Sequence, residues 1–182
     1  MFKFSNKNKG FTLVESLVTI FIIIVLSLII LPNYYSTKQQ LALQRSAFKL
    51  AQDIRTIQEM AMSVQEFGDE IPAGGYGIYL RKVPSPYISY SLYVDKNNNQ
   101  KYDFGEEKIE EINLESGLKI LSLDENQNHI NIIFTPPDPE VYLLNNDAEE
   151  LGSEVIIVIC LSDDESKTKT VTINKAGLIY VE

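Results

Sequence analysis

From Phe11 to Leu31 the chain reads FTLVESLVTIFIIIVLSLIIL, 21 residues that are apolar almost throughout and carry one carboxylate, Glu15. As a helix, such a run is long enough to span a bilayer. Beyond Pro32 the pattern changes. Leu43, Ala47, Leu50, Ile54, Ile57, Ala61 and Val64 recur at alternating spacings of four and three, which puts them in one stripe of a helix. The pattern predicts one long helix from Phe11 to about Phe67, with Pro32 able to kink it or melt it locally. Lys38, Arg45 and Lys49 fall on a face away from the stripe. That face is either solvated or a contact surface for acidic neighbours or lipid headgroups. Gly68 and Pro72 then stop the helix.

From Tyr76 the period shortens to two. YGIYLR is a strand. In YISYSLYVD, Ile88, Tyr90, Leu92 and Val94 share one face, with Ser89 and Ser91 on the other. EEKIEEINL, LKILSL, HINIIF, EVIIVICLS, TKTVTIN and GLIYV follow, each bounded by turn residues. About seven or eight strands are predicted, with TPPDPEVYLLNNDAEELGS as a proline-broken loop that contains a short strand. A long helix followed by strands is an α+β order: the helix, transmembrane in its first half, packs on an antiparallel β-sheet head. The divisions are 1–10, 11–32 (transmembrane helix), 33–67 (amphipathic continuation) and 68–182 (β-rich head).

Charge narrows the partners. The 182-residue chain has a formal net charge of −9, and loss of the first ten residues removes three lysines and brings it to −12. Between Ile120 and Ser166 there are eleven Asp and Glu and no Lys or Arg. Such a surface repels phosphates, so direct nucleic-acid binding is not expected. Cys160 stands alone in an apolar strand and reads as a small core residue. His129 is the only histidine, which leaves histidine triads and catalytic Ser-His-Asp sets without parts. PAGGYG lacks the Gly-Lys-Ser/Thr that a phosphate loop needs and reads as a flexible turn.

Glu15 poses the sharper question. A carboxylate costs roughly 2–3 kcal/mol or more at membrane depth, and less near the interface. No basic residue lies inside the run. A cut between Gly10 and Phe11 would create an ammonium one helical turn from Glu15, able to neutralise it within one chain or between neighbours. Between neighbours it would set the stagger of packed helices. The alternative is a carboxylate tolerated near the membrane edge. Lys3, Lys7 and Lys9 hold the N-terminus in the cytoplasm and place the head outside. The run is longer than a secretory core and no small-residue cleavage site follows it.

K-G-F-T-L-V-E, a short basic leader followed by Gly, Phe, a glutamate as the fifth residue counted from that Phe and about twenty apolar residues, resembles the N-terminal signal of type IV pilins and type II secretion pseudopilins. Pro32 stands where that family often has proline. The remainder is similar to GspH/FimT-type minor subunits, through LAQDIRTIQEMA, LYVDKNNNQKYDFGEEKI and TVTINKAGLIYVE. The resemblance implies a pilin-like fold and a prepilin peptidase that cuts after Gly10 and methylates Phe11. It implies a structural, non-enzymatic subunit stored in the inner membrane, in contact with lipid and the assembly platform. Other pilin or pseudopilin subunits would then join it in a filament through Glu15 and the helix.

One further motif could hold a ligand. In DKNNNQKYDFGE, Asp95, Asn97, Asn99, Asp103 and Glu106 fit positions 1, 3, 5, 9 and 12 of a calcium loop, with the Lys101 carbonyl at 7. Gln100 replaces the glycine expected at position 6, and the same residues make a good hairpin turn without metal. A bitopic protein whose outer β domain binds a ligand or calcium and does not polymerise is the alternative to a filament subunit.

Overall fold

The computed structural model describes residues 10–82, 89–104, 108–124, 127–136 and 140–182, apart from the side chains of Pro32 and Asn33. The chain divides into two compact units, Met1–Lys38 and Gln39–Glu182. One helix, α1 (Leu13–Met62), contributes to both. The helix runs through Pro32 without interruption. A proline removes one N–H donor, and the turns on either side still close. Helix residues from Gln39 onward belong to the second unit.

In the first unit the apolar side chains from Leu13 to Leu31 are exposed. The helix has an 18-residue window of mean hydropathy 2.9, long and apolar enough to cross a membrane. Its few polar side chains bond back onto their own backbone: Thr19 Oγ1 donates to the Ser16 carbonyl at 2.8 Å and Ser27 Oγ to Ile23 at 2.7 Å. Hydroxyls satisfied in this way need no water, which suits a helix in hydrocarbon.

In the second unit the helix turns amphipathic. Leu43, Ala47, Leu50, Ile54, Ile57 and Ala61 are buried as the spacing predicts. Val64 is not the end of the stripe but the end of the helix. Its backbone is left-handed (φ 50°), its N–H bonds Ala61 O, and the Gln65 N–H reaches Met60 O. These two bonds make a Schellman cap, which closes α1 at Met62 rather than near Phe67. Tyr76 Oη donates to the Gln65 carbonyl at 2.6 Å and pins the chain as it leaves.

The strands are β1 (Gly75–Arg81), β2 (Ser89–Asp95), β3 (Lys108–Asn113), β4 (Leu118–Leu123), β5 (His129–Thr135), β6 (Glu140–Asn145), β7 (Glu154–Leu161), β8 (Thr168–Asn174) and β9 (Ile179–Val181). Among the described residues there are nine, and the ninth, β6, is the short strand expected inside the proline-broken segment. They form two antiparallel sheets rather than one, ordered β3-β2-β1-β5-β6 and β4-β7-β8-β9. At about 20–25° of twist per neighbour, a single nine-stranded sheet would rotate by roughly 160–200° from edge to edge and could not cover one straight stripe. Two smaller sheets can. Tyr76, Ile78, Leu80, Leu92, Ile130 and Ile132 of the first sheet, and Val155, Ile157, Val171 and Ile173 of the second, share one core with the helix stripe.

The two partners are also joined by polar contacts. Tyr90 Oη donates to Asp53 Oδ2 at 2.5 Å, and Lys49 Nζ holds the same oxygen at 3.1 Å. Burial, then the Asp53 bond, pushes the Tyr90 phenol far above its usual range. Arg45 grips Glu115 with two hydrogen bonds of 2.9 and 2.7 Å, in water, so it sets register more than it stabilises. The cationic face expected to be free is therefore partly engaged by the chain itself. Cys160 is buried, as expected, and desolvation holds its thiol up.

Two outcomes test this packing. Ile57→Ala should cost about 2–5 kcal/mol, because a fully buried side chain leaves a cavity; tyrosine fluorescence during denaturation of the detergent-solubilised chain would read it. For Tyr90 the sign follows from its raised folded value. Its contribution is complete below the unfolded phenol value of about 10 and declines as pH rises above it. Tyr90→Phe should cost about 1–3 kcal/mol at neutral pH and remove part of the alkaline loss of stability, measured by the same unfolding curves at pH 8 and above.

Candidate functional site

Two places in the sequence carry candidate chemistry: the start of α1 and the loop after Asp95. At the first, Thr12 is the helix N-cap. Its carbonyl accepts the first helical bond, from the Ser16 N–H at 3.1 Å. Its Oγ1 accepts from the Glu15 N–H at 3.2 Å and makes a long 3.5 Å contact to Glu15 Oε2. Thr-x-x-Glu is a capping-box pattern, with the glutamate in the first turn beside the positive end of the helix dipole. Glu15 thus has a local role besides any pairing with an ammonium. It is exposed, as are Gly10 and Phe11 just ahead of the cap. Thr12 is not among the site residues expected from the sequence, although T-L-V-E in front of an apolar run is a signal for it. Lys3, Lys7 and Lys9 lie outside the described residues.

Pro32 lies 17 positions beyond Glu15 in the same helix and does not join it at one site. The roles expected of Gly10, Phe11, Glu15 and Pro32 are thus spread along the chain rather than gathered in a cleft.

At the second place, Asp95 is fully buried at the end of β2. Its two carboxylate oxygens accept the Asn99 N–H at 3.2 Å and the Gln100 N–H at 2.8 Å. Asn97 Oδ1 accepts the Asn99 N–H at 3.0 Å, and Asn99 Oδ1 accepts the Lys101 N–H at 2.8 Å. Both asparagine amides donate to Asp103 Oδ2, each at 2.8 Å. Asn98 and Gln100 take left-handed backbone, at φ 56° and 59°. The loop therefore closes on itself, and its side-chain oxygens are occupied by its own donors. Glu106 lies outside the described residues, as does Ile88 of the preceding strand. Among the described residues no three His, Cys, Asp or Glu side chains gather as a metal group.

The glycines of PAGGYG are structural rather than flexible. A Cβ on Gly74 would stand 2.2 Å from the Asp95 carboxyl carbon, and one on Gly77 would stand 2.5 Å from the Tyr93 ring. Gly74 also donates its N–H to the Asp95 carbonyl at 3.0 Å. Tyr93 supports a second, smaller core with Tyr79, Ile133 and Leu144 on the far face of the five-stranded sheet, against which Tyr102 packs. His129 begins β5, an interior strand of its sheet, and its Nδ1 lies 2.6 Å from Tyr79 Oη. Burial, then the Arg81 charge, lowers its pKa.

Against this geometry, residues 5–31 match the family model described as the prokaryotic N-terminal methylation motif. The chain carries a prepilin-type methylation motif. That motif spans the cap, Glu15 and the apolar run to Leu31, and it opens a single long helix that packs on antiparallel sheets. Among solved structures, the chain is similar to the type IV minor pilin FimU of Pseudomonas aeruginosa. The identity is 13%, with a TM-score of 0.46 over 77% of this chain and 87% of that one. No curated protein matches.

If Asp95 holds the loop, Asp95→Ala should cost about 2–3 kcal/mol, since two N–H groups lose their acceptor in a buried setting. Denaturation midpoints should show the same loss with calcium or with a chelator. A wild-type midpoint that rises strongly with calcium would instead assign the loop to a cation.

Proposed function

We propose that the chain is a minor pilin or pseudopilin, a structural subunit of a type IV pilus or type II secretion filament and not an enzyme. The observation that carries this reading is the methylation motif coinciding with a capped helix start, where Thr12 and Glu15 sit immediately after Gly10 and Phe11. A prepilin peptidase would cut after Gly10 and methylate Phe11. The new ammonium would then stand one residue before the cap, near both Glu15 and the positive end of a helix dipole. The helix dipole opposes that ammonium, so it needs a carboxylate, its own Glu15 or that of a neighbour.

On this reading the apolar run inserts in the inner membrane with the leader in the cytoplasm and the head in the periplasm or at the surface. An assembly platform then extracts it into a bundle in which the apolar surfaces of neighbouring helices replace lipid. The run cannot pass through water between lipid and bundle, because each exposed Leu, Ile or Phe left in water would cost about 1.5–3 kcal/mol. The acidic head meets other subunits rather than nucleic acid.

Gly10→Ala should leave the leader in place, seen as a heavier chain on immunoblots. Glu15→Ala should be cut as in the wild type yet be depleted at least tenfold from sheared filaments. Normal incorporation of Glu15→Ala would contradict the pairing. A normal chain that keeps its leader in cells would support a bitopic protein that does not polymerise.

A further inference from the structure

In strand β8, Val171 and Ile173 point into the core and are fully buried. Side chains alternate along a strand, so Lys169 stands on the same inward row. On the helix, the stripe that begins at Leu43 extends back by three to Gln40. Both rows therefore turn polar at the same end of the head, where a continued core would call for apolar residues. They meet in a pocket of about 280 Å³ walled by Gln40, Gln44, Lys167, Thr168 and Lys169.

No carboxylate lines this pocket. Of the acids in the turn before β8, Asp164 accepts the Ser166 N–H and hydroxyl at 3.1 and 2.6 Å, and Glu165 holds Lys119. Asp164 lies close enough to Lys167 to feel its charge. Among the described residues Arg45, Lys49, Lys108, Lys119 and Lys175 each hold a carboxylate, and neither Lys167 nor Lys169 is in such a pair. Two lysines and two glutamines thus line one pocket in a chain whose net charge is −9. Gln40 lies nine residues past Leu31, within about 30 Å of the end of the apolar run in any chain conformation.

We propose that this pocket binds the phosphate of an anionic phospholipid in the membrane that holds the apolar run. The inference rests on the reading of that run as membrane-inserted. Two lysines with amide donors fit a phosphate monoanion, and each lysine near an anionic surface contributes roughly fivefold in affinity. Headgroup binding would hold the head at the membrane during storage and be given up on extraction.

The test uses the full chain in vesicles of phosphatidylcholine alone and of phosphatidylcholine with phosphatidylglycerol. Amide exchange is followed over residues 162–170. Exchange should slow severalfold only with phosphatidylglycerol. The effect should vanish in high salt and in the Lys167→Gln, Lys169→Gln double variant, while exchange in β7 stays unchanged as a check on folding. Co-flotation with both vesicles but equal exchange in both would overturn the proposal and leave the anchor intact. Failure to co-float with either would overturn the anchor and the proposal with it. Equal protection by inorganic phosphate in phosphatidylcholine vesicles would reassign the pocket to a soluble anion. Protection that grows with protein density in those vesicles would reassign it to an acidic loop of a second copy.

Discussion

Burial of one stripe on α1 is the constraint from which the head follows. Leu43, Ala47, Leu50, Ile54, Ile57 and Ala61 occupy a single line, and every strand of the core has residues turned toward it. The line contains two alanines at full burial, which lets the sheets approach the helix closely. It explains why the strands split into two sheets, since one twisted sheet cannot follow a straight line. It also explains why the helix must stop at Met62: past the Schellman cap at Val64, the chain is turned back by Tyr76 to begin the sheet. Asp53 and Arg45 then fix the helix against the sheets through Tyr90 and Glu115.

The same helix meets a second demand in its first unit, where exposure rather than burial is the design. Leu13 to Leu31 present apolar side chains in all directions, and the hydroxyls among them are satisfied locally. A helix apolar all round needs a solvent of lipid or of other helices, whereas a helix with one stripe needs only its own head. The change between the two patterns, near Pro32 and Lys38, marks where the compact units divide.

Much of this was legible from the residues. The stripe, the apolar run and eight of the strands follow from periodicity, because each is a local pattern with one strong period. Glu15 stood out because a lone carboxylate is costly in such a run. The two-sheet topology was not legible, since strand order depends on which faces meet. The strand β6 was legible as a short strand inside the proline-broken segment, whereas the helix end was hidden by a valine in a backbone conformation that valine rarely adopts. The Asp95 loop shows the limit most clearly. Its spacing fits both a cation loop and a polar turn, and only the direction of each amide shows the donors it already has. Thr12 was readable from the capping-box pattern but was overshadowed by the glutamate it caps.

The central claim is that this capped, carboxylate-bearing helix start is a processed filament terminus. Mass spectrometry of the N-terminal peptide, taken from native cells separated into membrane and sheared-surface fractions, tests it most directly. The account predicts a peptide that begins at Phe11 with a methylated amine. A chain that still begins at Met1 in both fractions would contradict it.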